Sequence, residues 1–202
     1  MRAVMRFVAS VMMVSGAFLI VDAGVTLLWQ EPVSALVTER QQSKLKDALF
    51  DPPRHVIDRK PLEGDAIARI EIPEIDLSAY VVEGTDTISL RKGPGHYPDT
   101  PLPGEAGTVA IAGHRTTYGA PFRKIDRLRR GHAIVVDMPD GRFVYRVEGK
   151  RIVDDSDLSV LEPVGHRRLM LSACHPLYSA AQRVIVFARQ VSRGPSRVRR
   201  AA

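Results

Sequence analysis

The sequence predicts a mostly-β domain that follows one N-terminal membrane-spanning helix. The β prediction rests on residues 66–190, where short apolar runs alternate with glycine and proline. The helix prediction rests on residues 7–29, which carry a single charge, that of Asp22. At about 1.5 Å per residue, a helix of this length crosses the roughly 30 Å hydrocarbon core of a bilayer. Together the two patterns predict a membrane-anchored β domain.

The apolar segment 7–29 is predicted to remain in the protein rather than to be removed as a secretory signal. Small residues at 33–35 would suit a signal peptidase, but the apolar run exceeds the roughly 7 to 15 residues of a signal core. Arg2 and Arg6 precede the run, so the positive-inside tendency places residues 1–6 in the cytoplasm. The rest of the chain is then expected outside the cell membrane.

Residues 30–63 are predicted to form an extracytoplasmic stalk between the membrane and the β domain. The stretch is charged and contains several glutamines, and its apolar residues follow a loosely helical spacing. Asp51-Pro52-Pro53 ends any helix there, because proline lacks the backbone donor that a helix needs.

Residues 64–191 are predicted to form the β domain, which is long enough for one hydrophobic core. Asp140-Gly141 predicts a hairpin, since this pair supplies the positive φ of a tight turn. A short helix is predicted over residues 121–128, with Pro121 at its first position. The predicted strands are Ile67–Ile72, Ala79–Glu83, Thr108–Ala112, Ala133–Asp137, Phe143–Val153, Arg168–Ser172 and Val184–Gln190.

The formal net charge of +6 does not predict a nucleic-acid partner, because the excess lies at the ends of the chain. Residues 192–202 contain four arginines and no acid, and Arg2 and Arg6 account for the remaining excess. Residues 7–191 are therefore formally neutral. The basic tail, residues 192–202, is predicted to be disordered and at most to touch anionic wall polymers or lipid headgroups.

The single cysteine, Cys174, follows the apolar run 169–173 and has two interpretations. Most free cysteines are small buried hydrophobes. A nucleophilic cysteine instead needs a basic or cationic neighbour, and His114 and Arg183 lie at the ends of two other apolar runs. An exported chain with one cysteine cannot form an internal disulfide, so a retained thiol favours the functional interpretation.

Three segments in and around these runs share a pattern with one known family. They are GPGHYP at 93–98, AIAGHRTTYG at 110–119, and LSACHP at 171–176 followed by Arg183. In this order they resemble the sortases, membrane-anchored cysteine transpeptidases of mainly Gram-positive bacteria, and most of all class E, found chiefly in actinobacteria. The resemblance covers the chain from about Gly64 to Val191.

This resemblance implies an eight-stranded β-barrel with short helices. It also implies the three catalytic residues by their places in the motifs. Cys174 matches the nucleophile, His114 the general acid/base and Arg183 the third essential side chain. A cysteine that attacks a carbonyl, a histidine that protonates the departing amine and a cation that steadies the oxyanion form a chemically coherent set.

The resemblance further implies the reaction. Such an enzyme cleaves a C-terminal sorting signal of the Leu-Ala/Pro-x-Thr-Gly type between threonine and glycine, and holds the threonyl carbonyl as a thioester. It then transfers the secreted protein to the amine of a lipid-linked peptidoglycan precursor. No cofactor is expected, and no metal is expected because the six histidines include no close ligand pair with a carboxylate or cysteine partner.

Five residues in the three segments are predicted to bind substrate: Tyr97, His96, Thr116, Tyr118 and Ala173. Tyr97 is expected to line the pocket for the second position of the signal, with packing of its own loop as the alternative. His96 is predicted to line the substrate site, with a structural role as the alternative. Ala173 replaces the threonine that usually precedes the cysteine in this family.

Two other functions stay open at this point. One is a pilin-polymerising sortase, which often carries a lid before the barrel, and Asp51-Pro52-Pro53 faintly resembles such a lid without a following aromatic residue. The other is a non-catalytic, membrane-tethered β-barrel that binds a partner, with Cys174 as a packing residue.

Overall fold

A computed structural model describes residues 2–28, 32–50 and 60–196 of the chain. Helix α1 (Arg2–Leu28) covers most of the predicted membrane segment. By length and apolar composition, residues Arg2–Val25 are a candidate membrane span, and none of the most apolar stretch is buried inside the protein. Helix α1 therefore presents the apolar surface that a lipid environment would cover.

The domain that follows is a closed barrel of eight strands in the order β1-β2-β3-β4-β7-β8-β6-β5. This confirms the predicted fold class. Closure removes the free sheet edges that an open sheet of these strands would expose. The strands are β1 (Ala66–Ile72), β2 (Leu77–Glu83), β3 (Gly95–His96), β4 (Thr108–Ala112), β5 (Ala133–Met138), β6 (Gly141–Asp154), β7 (Arg168–His175) and β8 (Gln182–Gly194).

Most neighbouring strands are antiparallel, but β4 and β7 run parallel, as do β2 and β3. In the β4–β7 pair, Thr108 lies beside Arg168 and Ala112 beside Ser172. Both strands therefore end at the same rim of the barrel. Strand β8 runs antiparallel to β7 and begins at that rim, where Gln182 lies beside His175.

Alternation along the strands separates the barrel interior from its outer face. On β7, Leu169, Leu171 and Ala173 belong to the interior cluster. The intervening Met170 packs outside, in a second cluster with Ala110 of β4, Val160 and Ile185 of β8.

Seven of the eight strands were predicted, with ends that differ by a few residues. The missing strand is β3, which has two residues and so shows no periodicity. The hairpin between β5 and β6 is present, but Gly141 lies in β6 opposite Met138, so Pro139 and Asp140 form its turn. Strand β8 runs to Gly194, three residues into the predicted tail, and residues 197–202 lie outside the described residues.

The predicted helix at 121–128 is wrong. These residues form turns and one turn of 3-10 helix, Ile125–Arg127. The apolar residues Phe122, Ile125 and Leu128 nevertheless reach the barrel interior. Their spacing of three matches the period of a 3-10 turn as well as one face of an α-helix, and that ambiguity explains the error.

Helix α2 (Pro32–Phe50) covers most of the predicted stalk and packs on the barrel. Its residues Leu45 and Leu49 are buried, and Thr38 donates to the carbonyl of Arg91 at 3.3 Å. Arg91 lies in a further helix, α3 (Thr87–Lys92). The segment Asp51-Pro52-Pro53, which faintly resembles a lid in sequence, lies outside the described residues.

Candidate active site

Cys174 lies on the outer face of the barrel, near the end of β7. The interior position of Ala173 fixes this, because neighbouring residues of a strand point to opposite faces. The thiol is free and its residue is half-buried. A half-exposed thiol on the outside of a barrel is open to a substrate, whereas a structural cysteine would face the core.

Arg183 is the direct partner of Cys174 in the β7–β8 ladder, so the two side chains share the outer face. The guanidinium donates through Nη1 to the carbonyl of Ala180 at 2.7 Å and to that of Gln182 at 3.0 Å. Both bonds use one nitrogen. Among the described residues, the remaining donors of the fork stay available for an oxygen held beside Cys174.

His114 follows β4 by two residues at the same rim. The Gly113 amide donates to the carbonyl of Ser172 at 3.0 Å, which continues the β4–β7 register past the end of β4. His114 lies two residues beyond Ala112, and Cys174 lies two residues beyond its partner Ser172, so both follow the last β4–β7 pair at the same rim. The structure thus brings the three predicted catalytic residues to one rim.

Gly113 is required by packing next to His114. A Cβ at this position would lie 2.5 Å from the ring of Phe122, which is fully buried. The amide of Phe122 also donates to the carbonyl of His114 at 2.9 Å. These contacts hold the main chain on both sides of the imidazole.

The imidazole of His114 is in a partly desolvated and cationic environment. Burial lowers its pKa from the ordinary value of 6.5, and the charge of Arg91 lowers it further. Its Nε2 is buried and has no hydrogen-bond partner among the described residues, and its ring lies 5.1 Å from the ring of Tyr118. A lowered pKa favours the neutral imidazole, which can accept a proton from a thiol or an amine.

Tyr118 links this histidine to helix α2. The Arg91 guanidinium lies 5.5 Å from the Tyr118 ring centroid, and the Tyr118 amide donates to Oγ of Ser34 at 3.2 Å. Thr116 and Tyr118 are both half-buried in the loop after His114. Their predicted contact with substrate stays a prediction.

His96 lies on the two-residue strand β3, where it pairs with Ile111 of β4. It is 1% exposed, its Nδ1 is 2.8 Å from Oε2 of Glu83, and its Nε2 is 3.0 Å from the carbonyl of Pro101. A side chain with both nitrogens engaged and almost no exposed surface is not accessible to a peptide. The geometry therefore favours the structural role that the sequence had left open for His96.

Tyr97 and Ala173, two other residues predicted to bind substrate, lie on opposite faces of the barrel wall. Tyr97 packs against the outer cluster that contains Ala110 and Met170, so its ring lies on the same outer face of β4 and β7 as Cys174. Ala173 is 3% exposed inside the barrel. Its methyl group therefore faces the core and not a substrate on the outer face, which corrects the expectation that position 173 lines the site.

Sequence reasoning missed Arg115, which follows His114 directly. It is 5% exposed, and its Nη1 donates to the carbonyl of Cys174 at 3.1 Å. Arginine is usually solvent-exposed, so its charge gave no signal of burial. Its place inside the predicted catalytic segment was the one available indication.

Among the described residues, no group of three histidines, cysteines or carboxylates is arranged to hold a metal ion.

Comparisons with known proteins point to one family. The family model described as Sortase domain matches residues 70–191. Sortase D of Bacillus subtilis is 35% identical over 138 residues, which cover 66% of this chain and 68% of that protein. Sortase SrtE1 of Streptomyces coelicolor is 28% identical over an alignment that covers 94% of this chain and 58% of that protein.

Solved structures give the same result. Sortase E from Streptomyces avermitilis is 35% identical with a TM-score of 0.61, over 66% of this chain and 93% of that chain. Sortase E1 from Streptomyces coelicolor, solved with a tripeptide in the active site, is 34% identical with a TM-score of 0.63, over 65% of this chain and 91% of that chain.

Proposed function

The chain belongs to the sortase family of cysteine transpeptidases, and we propose that it joins secreted proteins to an amine of the cell wall through a thioester on Cys174. The observation that carries this proposal is the shared rim, where β7 and β8 place Cys174 beside Arg183 and the β4–β7 register adds His114. His114, which is 60 residues from Cys174 in sequence, thus reaches the same rim, and the three side chains have the chemistry that acyl transfer needs.

In the first half of the proposed reaction, the thiolate of Cys174 attacks the threonyl carbonyl carbon of the substrate. The carbonyl oxygen takes up the electron pair as an oxyanion, and the free donors of the Arg183 guanidinium stabilise it. The C–N bond to glycine then breaks, and protonated His114 gives its proton to the departing amine. The products are a thioester on Cys174 and a free N-terminal glycine peptide.

In the second half, an incoming amine attacks the thioester carbonyl. Neutral His114 accepts a proton from that amine, and the C–S bond breaks as the new amide forms. The thiolate of Cys174 is regenerated with a protonated imidazole beside it. Donor and acceptor atoms balance over the two halves, because the proton given up in the first is recovered in the second.

We propose a sorting signal of the Leu-Ala/Pro-x-Thr-Gly type, with alanine favoured at the second position. The similarity to sortases E of two Streptomyces species supports this choice. Tyr97 is the proposed contact for the small second residue, since its ring packs on the outer face next to the rim. Thr116 and Tyr118 are proposed to border the same peptide from the loop after His114.

We further propose that α1 anchors the protein in the cell membrane, with the N-terminus in the cytoplasm and the barrel outside. The apolar composition of α1 and the position of Arg2 and Arg6 before its apolar run support this topology. The proposed acceptor is the amine of a lipid-linked peptidoglycan precursor, which lies at the outer membrane surface within reach of a tethered domain.

The test is to trap the thioester. Wild-type protein is incubated with a Leu-Ala-x-Thr-Gly peptide and hydroxylamine, and the products are identified by mass spectrometry. We expect peptide hydroxamate that ends at threonine, and none with Cys174→Ala. If wild type cleaves none of a panel of sorting peptides, the transpeptidase assignment fails and a binding role for the barrel gains support.

A further inference from the structure

Arg115 carries a buried charge at the proposed active site that the three catalytic roles do not use. Its side chain is 5% exposed. A guanidinium loses much of its hydration when it is buried, so it is retained only where good acceptors replace the water. Its surroundings supply three such acceptors.

The acceptors of Arg115 come from two separate parts of the chain. Nη1 donates to the carbonyl of Cys174 at 3.1 Å. Nη2 donates to the carbonyl of Arg123 at 3.3 Å and pairs with Oδ1 of Asp126 at 3.0 Å. The guanidinium therefore joins the end of β7 to the turn at 123–126.

The hydrogen bond from Arg115 to the Cys174 carbonyl replaces a backbone hydrogen bond that the sheet lacks at this point. The carbonyl of Ser172 accepts the Gly113 amide from the β4 side. In a strand, the carbonyl two residues further on points to the same side, so that of Cys174 also points toward β4. Strand β4 has already ended at Ala112, and Arg115 Nη1 supplies the donor that a longer β4 would have provided.

We propose that Arg115 is a positioning residue for Cys174, one that fixes the main chain of the nucleophile at the point where the sheet no longer does. The inference rests on the proposed role of Cys174 as the nucleophile. This role depends on the planar guanidinium, because one group donates to the Cys174 carbonyl and to the 123–126 turn at the same time. A lysine at 115 keeps a charge but reaches one of these acceptors at a time.

The fold supplies a matched control in Arg168, at the first residue of the same strand. It is also buried, and it donates to the carbonyls of Val160 and Glu162 at 2.8 Å each. Its contacts lie at the opposite end of β7 from Cys174. Arg168→Gln therefore reproduces the general cost of removing a buried arginine without touching the rim.

The first measurement needs no substrate, because the chain has a single cysteine. The rate of alkylation by iodoacetamide at pH 7 reports Cys174 alone. A cysteine reacts as its thiolate, which a nearby cation favours. We expect Arg115→Gln to lower this rate about tenfold, Arg115→Lys to stay closer to wild type, and Arg168→Gln to stay within about twofold.

The second measurement is steady-state cleavage of a sorting peptide by variants confirmed as folded by thermal melting. We expect both Arg115→Gln and Arg115→Lys to lower kcat about tenfold with KM within about threefold, since positioning acts on the chemical step. If Arg115→Lys kept the kcat of wild type, Arg115 would act through its charge alone, and the positioning role would be overturned. Equal losses in Arg168→Gln and Arg115→Gln would also overturn it, since the effect would then be general destabilisation.

Two further outcomes also bear on the proposal: an Arg115→Gln variant that does not fold, and a wild-type protein that cleaves no peptide. If Arg115→Gln does not fold, Asp126→Ala replaces it, because its side chain is 53% exposed and its loss removes one of the two acceptors of Nη2. An unchanged kcat in Asp126→Ala would then refute the proposal. If wild type cleaves no peptide, the proposed function fails; slower alkylation in both Arg115→Gln and Arg115→Lys, with Arg168→Gln unchanged, would then still support the positioning of Cys174, whereas an effect in Arg115→Gln alone would refute it.

Discussion

Replacing Gln42 with alanine is expected to release the edge of β2 that helix α2 covers. The Tyr80 amide donates to Oε1 of Gln42 at 2.6 Å, and Nε2 of Gln42 donates to the carbonyls of Tyr80 at 3.0 Å and Lys92 at 2.7 Å. Strand β3 pairs with β2 only at Val82 and Glu83. At Tyr80 the carboxamide of Gln42 therefore takes the place of a neighbouring strand.

The size of the effect follows from the three bonds. Each neutral hydrogen bond contributes about 0.5 to 1.5 kcal/mol net, so Gln42 contributes about 1.5 to 4.5 kcal/mol to docking of α2. Since about 1.4 kcal/mol is a factor of ten, the Tyr80 amide should exchange with solvent at least about tenfold faster in Gln42→Ala. Residue-resolved hydrogen exchange measures this directly.

Two variants make the test specific. Gln41→Ala changes the same residue type one position away, and it should leave the exchange of Tyr80 within about threefold of wild type. Gln42→Glu keeps an acceptor for the Tyr80 amide but loses both donors, so it should give an intermediate rate. The reasoning is refuted if Gln42→Ala leaves Tyr80 as protected as in wild type, or if Gln41→Ala exposes it equally.

Two predictions concern the environment of His114. Gly113→Ala places a Cβ 2.5 Å from the buried ring of Phe122, so we expect a loss of about 1 to 3 kcal/mol in urea denaturation together with slower peptide cleavage. Arg91→Gln should raise the pKa of His114, because the Arg91 charge now lowers it from 6.5, and an imidazole NMR titration measures the change. Because the pKa of His114 is lower in the folded protein, the unfolded chain binds the proton more tightly. The free energy of unfolding should therefore fall as the pH drops below about 6.5, and it should fall less steeply in Arg91→Gln. An equally steep loss in Arg91→Gln would contradict this prediction.

The sequence predicted the long strands because their burial leaves a pattern. On β7, residues 169–171 are continuously apolar, because the interior cluster covers one face of the strand and the outer cluster the other. Strand β3 and helix α3 were missed for opposite reasons. Strand β3 has only two residues and so shows no periodicity. Helix α3 does have an N-cap signal in the sequence, Asp86, whose carboxylate accepts from the amides of Ile88 and Ser89.

The residues that escaped prediction at the site are polar side chains that replace backbone partners. Gln42 completes the edge of β2, and Arg115 completes the end of the β4–β7 ladder. Nothing in a linear sequence separates such a glutamine or arginine from one that faces solvent, because the missing strand residue is a property of the folded sheet. Helix α2, in the segment predicted as a stalk, contacts the barrel through the buried Leu45 and Leu49 and through hydrogen bonds of Gln42.

The position of the proposed site follows from the topology of the barrel. Parallel pairing of β4 and β7 brings both of their C-terminal ends to one rim, so residues that follow these strands must meet there. The antiparallel return through β8 places the start of that strand at the same rim, which adds Arg183 opposite Cys174. If β4 and β7 were antiparallel, His114 and Cys174 would lie at opposite ends of the barrel. The parallel pair thus explains why the two motifs lie at one rim, and because β4 ends at Ala112, the side chain of Arg115 donates to the Cys174 carbonyl where the ladder has stopped.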